Sequence, residues 1–473
     1  MPAFSNASSH ASRASRAAIA ARFFEFLERR DVAYCVAGDD RALPERIAGD
    51  IDIVVHPTVV DELAAHLTDF CAENDLHLVQ CLKHEVESFY FVLCWRDDDG
   101  HLDFLHLDIC GDYYRGARFY LSAEVVLDGR TRARDADGTP KSFYVPLASR
   151  AFIYYLVKRV DKQSLDERHG EFLSARWQAD PAGALEQLGR FWAASDATAI
   201  AIAAALRDWS IVRSMFGTLR RSLHQHADRL TGSRTSRREL ARRFDRVLHP
   251  TGLFVAVVGT DGSGKTTVVE RLATDLAPAF RRTQSHHLRA RFGRRARAGP
   301  SVSDPHGQSP RGGAASVAKA VYYLCDYIVG FHWYLRPGLV RSTLLLFDRY
   351  AYDLEADPKR FRYGGPMSLA RLVRRLAPQP DIVILLDAPP DVLQARKSEL
   401  PPDELPRIAR AYRTIVAGVP NAHVVDAAQP CDGVVAAAEG IIIGYLAQRF
   451  QDRHGGTHAA RASRSFSSSE RTP

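Results

Sequence analysis

The stretch Phe254–Ala273, FVAVVGTDGSGKTTVVERLA, constrains the fold more than any other part of the chain. Its first residues form a β-branched apolar run of strand length, and Val268, Leu272 and Leu276 recur after the glycines at helical spacing. Between them Gly259, Gly264, Lys265 and Thr266 fill the pattern GxxxxGK[ST]. A strand, a glycine turn and a helix in that order let successive backbone amides point inward around phosphate oxygens, where the helix dipole adds positive potential. The expected nucleotide-binding residues are therefore Gly259, Asp261, Gly262, Ser263, Gly264, Lys265, Thr266 and Thr267. Lys265 supplies a mobile charge for the β and γ phosphates, and the Thr266 hydroxyl suits magnesium.

The segments after this loop alternate between strand and helix signals. TLLLFD (Thr343–Asp348), DIVILLD (Asp381–Asp387) and AHVVD (Ala422–Asp426) are short apolar runs ending in aspartate. Helical stretches fall around Val317–Tyr334, Asp391–Lys397 and Pro406–Val416. Such alternation predicts a parallel sheet with ligands beyond the carboxyl ends of its strands, where these aspartates sit.

The trio GTDGSGKTT, FDRY (Phe347–Tyr350) and PDIVILLDAPPDVLQARK (Pro380–Lys397) resembles the thymidylate kinase group in order and approximate spacing, over about residues 252–449. The resemblance implies ATP and Mg²⁺ as cofactors and places Asp348 and Arg349 at the acceptor phosphate. It also implies that Arg396 is a lid arginine and that Asp261 lies near the acceptor. Lys265, Asp348, Arg349 and Arg396 are then the expected catalytic set, because phosphoryl transfer needs positive charge spread over the moving group. After the DRY the chain departs from the family: a Ser and an AYQ-like segment are replaced by AYDLEADPKRFRYGGP. Lys359, Arg360 and Arg362, beside Phe361 and Tyr363, suit a phosphorylated acceptor or a solvated loop.

The first half carries a different pattern. YCVAGDDRALPERIAGDIDIVVHP starts as a short strand, turns at Gly38 and re-enters a strand bearing Asp50 and Asp52 on one face. SFYFVLCWRDDDGHLDFLHLDIC reads as a hairpin turning at Asp97–Gly100, with Asp108 near the end of its second strand. Asp50, Asp52 and Asp108 can together hold Mg²⁺ through oxygen ligands. Residues 16–175, including Phe143–Lys162, resemble the nucleotidyltransferase superfold, although Gly38-Asp39-Asp40 stands where active members carry Gly-Ser. His84, His101 and His106 lack ligand spacing and are read as structural.

Two breaks in composition divide the chain. Leu219–Arg246 carries nine arginines and reads as a solvated basic connector, partly helical, in preference to a lipid or nucleic-acid patch, and Arg289–Gly313 reads as a mobile insertion. The expected organisation is a leader (1–15), a mixed-sheet nucleotidyltransferase-like domain with a helical extension (16–215), a basic linker (216–250), a parallel-sheet kinase-like α/β domain (251–450) and a disordered tail (451–473). A net charge of +7 favours anionic partners. Cys35, Cys71, Cys81, Cys94 and Cys110 lie in apolar contexts without metal spacing, so reduced core thiols and a cytoplasmic setting are expected. No apolar run of the roughly 18 residues of a membrane span is read from the sequence. The arginines lack an array of stacking aromatics, so no stable nucleic-acid partner is expected. These readings converge on an ATP- and Mg²⁺-dependent phosphotransferase acting on a nucleotide or a phosphorylated sugar or saccharide. The alternatives are a nucleotide-binding regulatory protein with a degenerate first domain and an active nucleotidyltransferase of surface-polysaccharide synthesis.

Overall fold

A computed structural model describes residues 15–47, 49–135, 137–289, 309–396 and 404–467, without the side chains of Ser233 and 454–467. The chain forms two compact units, residues 1–245 with 447–473 and residues 246–446. The expected leader, most of the 289–313 insertion and the last six residues of the tail lie outside the described residues.

In the first unit five strands form a mixed sheet, in the order β1-β2-β5-β4-β3. They are β1 (Tyr34–Val36), β2 (Ile51–Val55), β3 (His77–Glu85), β4 (Ser88–Arg96) and β5 (Leu102–Cys110). The hairpin turns where the sequence puts it: Arg96 faces Leu102 across β4 and β5, and Gly100 N–H donates to the Asp97 carbonyl. β2 and β5 run parallel with Asp52 directly opposite Asp108, so residues distant in sequence share one face. Two small hairpins follow, β6 (Tyr113–Arg115) with β7 (Arg118–Leu121) and β8 (Thr131–Arg134) with β9 (Pro140–Val145). The helix Ala148–Lys162 is buried along most of its length.

The basic connector is helical through two helices, Phe216–Leu230 and Ser233–Leu248, and the first is not solvated on every face. Leu219, Leu223 and Ala227 recur at four-residue spacing, and all three are fully buried in the first unit's core. The arginines hide this stripe in the composition because Arg220, Arg221 and Arg229 occupy its helix's other faces; on the second helix Arg238 pairs with Glu87 and Arg242 donates to the Lys83 carbonyl.

The second unit is a five-stranded sheet in the order β11-β12-β10-β13-β14, with every pair parallel. Its strands are β10 (Leu253–Gly259), β11 (Arg282–His287), β12 (Thr343–Asp348), β13 (Ile382–Asp387) and β14 (Ala422–Asp426). β10 and β12 are buried at every residue, as strands covered on both faces must be. The polar edge strand β11 (RTQSHH) has no apolar run, and sequence periodicity missed it.

The tail also differs from expectation, since a helix runs from Cys431 to Ser467 and its Phe450 belongs to the first unit's core. Its Cys431–Arg453 portion is long and apolar enough to cross a membrane by composition, with a mean hydropathy of 1.2. Its Val434, Val435, Ala438, Ile442, Ile443 and Leu446 are buried within the protein, and 39% of the apolar window is buried in all. Cys35, Cys71, Cys94 and Cys110 are buried free thiols and Cys81 is half-buried; burial pushes Cys71 up to about 12, which leaves it unreactive.

Candidate active site

The glycine loop leaves β10 at Gly259, whose φ of +148° puts a would-be Cβ 2.5 Å from the Leu386 carbonyl, so only glycine fits. The turn then passes Gly262 and Gly264, both at positive φ, into the helix Lys265–Asp275. Lys265 is buried, with Nζ donating to the Thr260 carbonyl at 2.6 Å and lying 3.5 Å from Ser263 Oγ. Burial and then repulsion from Arg349 push its pKa down to about 8. Thr266 and Thr267 follow, exposed on the first helical turn.

The Asp348 of the DRY ends β12 beside this loop. Its Oδ2 accepts from the Thr266 hydroxyl at 2.7 Å and lies 3.5 Å from His287 Nδ1. Its Oδ1 is buried with no hydrogen-bond partner. A hydroxyl and an unsatisfied carboxylate oxygen are the hard donors that magnesium takes, so Thr266 and Asp348 fit that ion. Burial opposes ionisation of Asp348, but the hydrogen bonds from His287 and Thr266 outweigh it and lower its pKa.

Arg349 sits at φ +72° and is buried. It donates through Nη2 to Asp261 and through Nη1 to Asp353 at 3.1 Å, while its Nε has no partner. Asp261 also takes Arg360, so two guanidinium groups and Lys265 surround one carboxylate. Burial would raise the Asp261 pKa, but attraction to Arg349, Lys265 and Arg360 holds it well below the carboxylate range. Asp353 is fully buried and accepts from Arg349, Tyr350 N–H and, at 2.7 Å, Tyr412 O–H. Asp353 lies in the AYDLEADPKRFRYGGP segment, where the sequence reading gave it no role. Its four-residue spacing from Arg349 is the signal that was there to read.

Arg396 and part of the basic group stand apart from this cluster. Arg396 is not gathered into this cluster: it is exposed at the end of the helix Pro390–Arg396 and donates to the Ala427 carbonyl at 2.7 Å. The basic group Lys359, Arg360 and Arg362 separates. Lys359 is exposed and pairs with Glu404, Arg360 turns to the loop, and Arg362 donates to the Ser309 carbonyl at 3.1 Å.

In the first unit, one carboxylate oxygen each from Asp50, Asp52 and Asp108 lies within 4.8 Å of the others. The turn before them needs Gly38, because a Cβ there would stand 2.8 Å from Asp52 Oδ2. Asp52 is ion-paired with the buried ammonium of Lys158, on the helix packed below. Burial favours neutral Asp52, but Lys158, Lys162 and Arg159 keep it charged. Asp108 moves the other way, to about 7, through burial and repulsion from Asp52 and Asp50. His84 Nε2 lies 3.4 Å from Asp108. Burial drops His84 to about 4, so it is a neutral neighbour. Oxygen donors in this number fit a divalent ion, with Lys158 already neutralising one of them.

The turn residues Asp39 and Asp40 are also taken, Asp39 by Arg41 and Arg168 and Asp40 by Arg176. Asp40 borders a cleft of about 680 Å³ lined by Arg41, Arg132, Arg134, Lys141 and Arg176. Arg41, Arg132, Lys141 and Arg176 have carboxylate partners, and Arg134 donates to the Gly138 carbonyl.

A parallel sheet with a glycine loop at the carboxyl end of its central strand defines the second unit as a P-loop nucleotide-binding fold. The chain belongs to the thymidylate kinase family. A thymidylate kinase from Xanthomonas euvesicatoria pv. vesicatoria (strain 85-10) is 31% identical over 226 residues, covering 45% of this chain and 93% of that protein. One from Xanthomonas oryzae pv. oryzae (strain PXO99A) is 31% identical over 212 residues, 43% of this chain and 88% of that protein. A probable thymidylate kinase from Pyrobaculum aerophilum is 28% identical over 149 residues, 30% and 68% of the two chains. The crystal structure of a thymidylate kinase from Ehrlichia chaffeensis aligns at 17% identity over 40% of this chain and 98% of that one, with a TM-score of 0.29. No family model matches the chain.

Proposed function

We propose that the second unit transfers the γ-phosphoryl group of ATP to a phosphate of a nucleoside monophosphate or a phosphorylated sugar. The observation that carries this reading is the set of cations around Asp261, with Arg349 Nε buried and unpartnered beside a complete glycine loop. An acceptor phosphate takes up Arg349 and Arg360, and ATP draws the Lys265 ammonium from the Thr260 carbonyl to its β and γ phosphates. An acceptor oxygen then bonds to the γ phosphorus, the bond to the β–γ bridging oxygen breaks, and ADP leaves. Asp353 and Tyr412 hold Arg349 in place through this change. Magnesium, bound at Thr266 and Asp348, supplies charge neutralisation to the ATP phosphates.

Thymidine monophosphate is not the preferred acceptor on this reading, because the segment after the DRY supplies Asp353 as a partner for Arg349 instead of polar groups for a base edge. The first unit we read as nucleotidyltransferase-like. The meeting of Asp50, Asp52 and Asp108 favours retained metal binding, and the arginine-clamped Asp39 and Asp40 favour a recognition role over turnover. The deciding measurement is acceptor-dependent ADP release from purified protein across nucleoside monophosphates and sugar phosphates. Release that no acceptor stimulates sinks the kinase reading.

A further inference from the structure

One imidazole stands beside the glycine loop without a part in the phosphate chemistry described so far. β11 and β12 run parallel with His287 directly opposite Asp348, so the two side chains leave the sheet on the same face and at the same level. The preceding His286 turns to the other face, where its ring centre lies 4.9 Å from that of Phe347. His287 Nδ1 stands 3.5 Å from Asp348 Oδ2, and the same oxygen accepts from the Thr266 hydroxyl at 2.7 Å. Asp348 is 8% exposed and its Oδ1 has no hydrogen-bond partner, whereas the His287 side chain is more than half exposed.

At 3.5 Å the contact between His287 and Asp348 is at the long limit of a hydrogen bond. Donor atoms on adjacent corners of an octahedral ion lie about 3 Å apart, because each is about 2.1 Å from the metal. The Thr266–Asp348 and His287–Asp348 separations fall on either side of that edge length, so one ion can meet the hydroxyl, the carboxylate and the imidazole together. The nitrogen changes which ion the set prefers. Hydroxyl and carboxylate oxygens suit magnesium, whereas an imidazole favours first-row transition ions, whose affinity for such a donor rises from Mn²⁺ through Co²⁺.

We propose that His287 is a metal ligand of the second unit, forming with Thr266 and Asp348 a mixed nitrogen–oxygen set that holds the nucleotide's metal as Mn²⁺ or Co²⁺ ahead of Mg²⁺. The proposal rests on the kinase reading for where the nucleotide phosphates lie, and on the geometry of His287, Asp348 and Thr266 alone for the nitrogen donor. The residues that take the phosphates, Lys265 and the loop amides, are unaffected by which ion is bound.

Two measurements on the full chain test it: titration of a fluorescent ADP analogue in saturating MnCl₂ or MgCl₂, and electron spin-echo modulation of the Mn²⁺–ADP complex. Both are made with Asp50→Asn present, which takes a donor from the first unit's carboxylate group and keeps Mn²⁺ there from contributing. The expected result is the nitrogen modulation of a coordinated imidazole, with the analogue bound about tenfold or more tightly in Mn²⁺ than in Mg²⁺. His287→Gln keeps a hydrogen-bond donor for Asp348 but offers the ion an oxygen. It abolishes the modulation and reduces the Mn²⁺ preference to about threefold or less. No modulation in the protein with His287, modulation that survives His287→Gln, or an equal Mn²⁺ preference in the two proteins each overturn the proposal. Nitrogen modulation without ADP release from any acceptor leaves the ligand standing and defeats the kinase reading, and acceptor-stimulated release without modulation does the reverse.

Discussion

Two buried lysines, Lys158 in the first unit and Lys265 in the second, stand in opposite electrostatic circumstances. For Lys158 burial favours the neutral amine, but Asp52 and Asp108 outweigh it and raise its pKa. Lys265 has Asp261 4.0 Å away, but that carboxylate is already shared with Arg349 and Arg360, and the lysine pKa falls to about 8. The first lysine is complete within the protein. The second is held against a backbone carbonyl, and burial and then Arg349 lower its pKa despite three nearby carboxylates, which is the state of a group whose partner is a ligand. The contrast extends outward: Arg41 and Arg176 are matched by Asp39 and Asp40, while burial and then Arg311, Arg289 and Arg362 lower the pKa of Lys319, on the helix Gly313–Gly330.

The strongest way to break this comparison is Lys158→Met. Removing one partner of a buried ion pair leaves an uncompensated carboxylate, so the first unit loses about 3–5 kcal/mol in denaturant unfolding. A loss under about 1 kcal/mol shows that the pair is not structural.

Lys265→Ala should behave in the reverse manner. Acceptor-dependent ADP release falls by about 10²-fold or more, while the melting temperature of the second unit does not fall, because the charge removed was an unfavourable one. Retained turnover, or a collapse in stability with it, contradicts the distinction between the two lysines.

The smallest effect is in Lys319. Its folded pKa of about 8 lies below the unfolded lysine value of about 10.4, so between these pH values the folded protein holds fewer protons than the unfolded chain. Stability from this group therefore rises with pH across that window, and its penalty is complete below pH 8. The melting temperature of Lys319→Met relative to wild type is accordingly more favourable at pH 7.5 than at pH 10, as differential scanning fluorimetry can read. The opposite trend shows that burial and the nearby arginines do not disfavour the Lys319 ammonium.

What the sequence made legible follows from range. The glycine loop, β10, β12, β13 and the β4–β5 hairpin are local patterns, and each lies where its residues say. The meeting of Asp52 with Asp108 was readable because alternation and a parallel register leave little choice of face. The misreadings share another cause. Leu219, Leu223 and Ala227 make an apolar stripe only when the helical period is followed beneath a dense run of arginines. The edge strand β11 is polar because one side lacks a neighbouring strand, so no pattern marks it. Arg396 and Lys359 could be assigned to the site by type and position, but their partners, Ala427 and Glu404, are set by tertiary packing.

The return of residues 447–473 to the first unit ties the birth of the two halves together. Phe450 completes a core that otherwise draws on residues before 146, so the ribosome must make the whole second unit before that core can close. At roughly 5–20 residues per second, the roughly 300 residues between Val145 and Phe450 take on the order of 15 to 60 seconds. Through that interval the first unit waits with an apolar gap, and a chain halted after the second unit carries a nucleotide-binding half beside an unfinished neighbour.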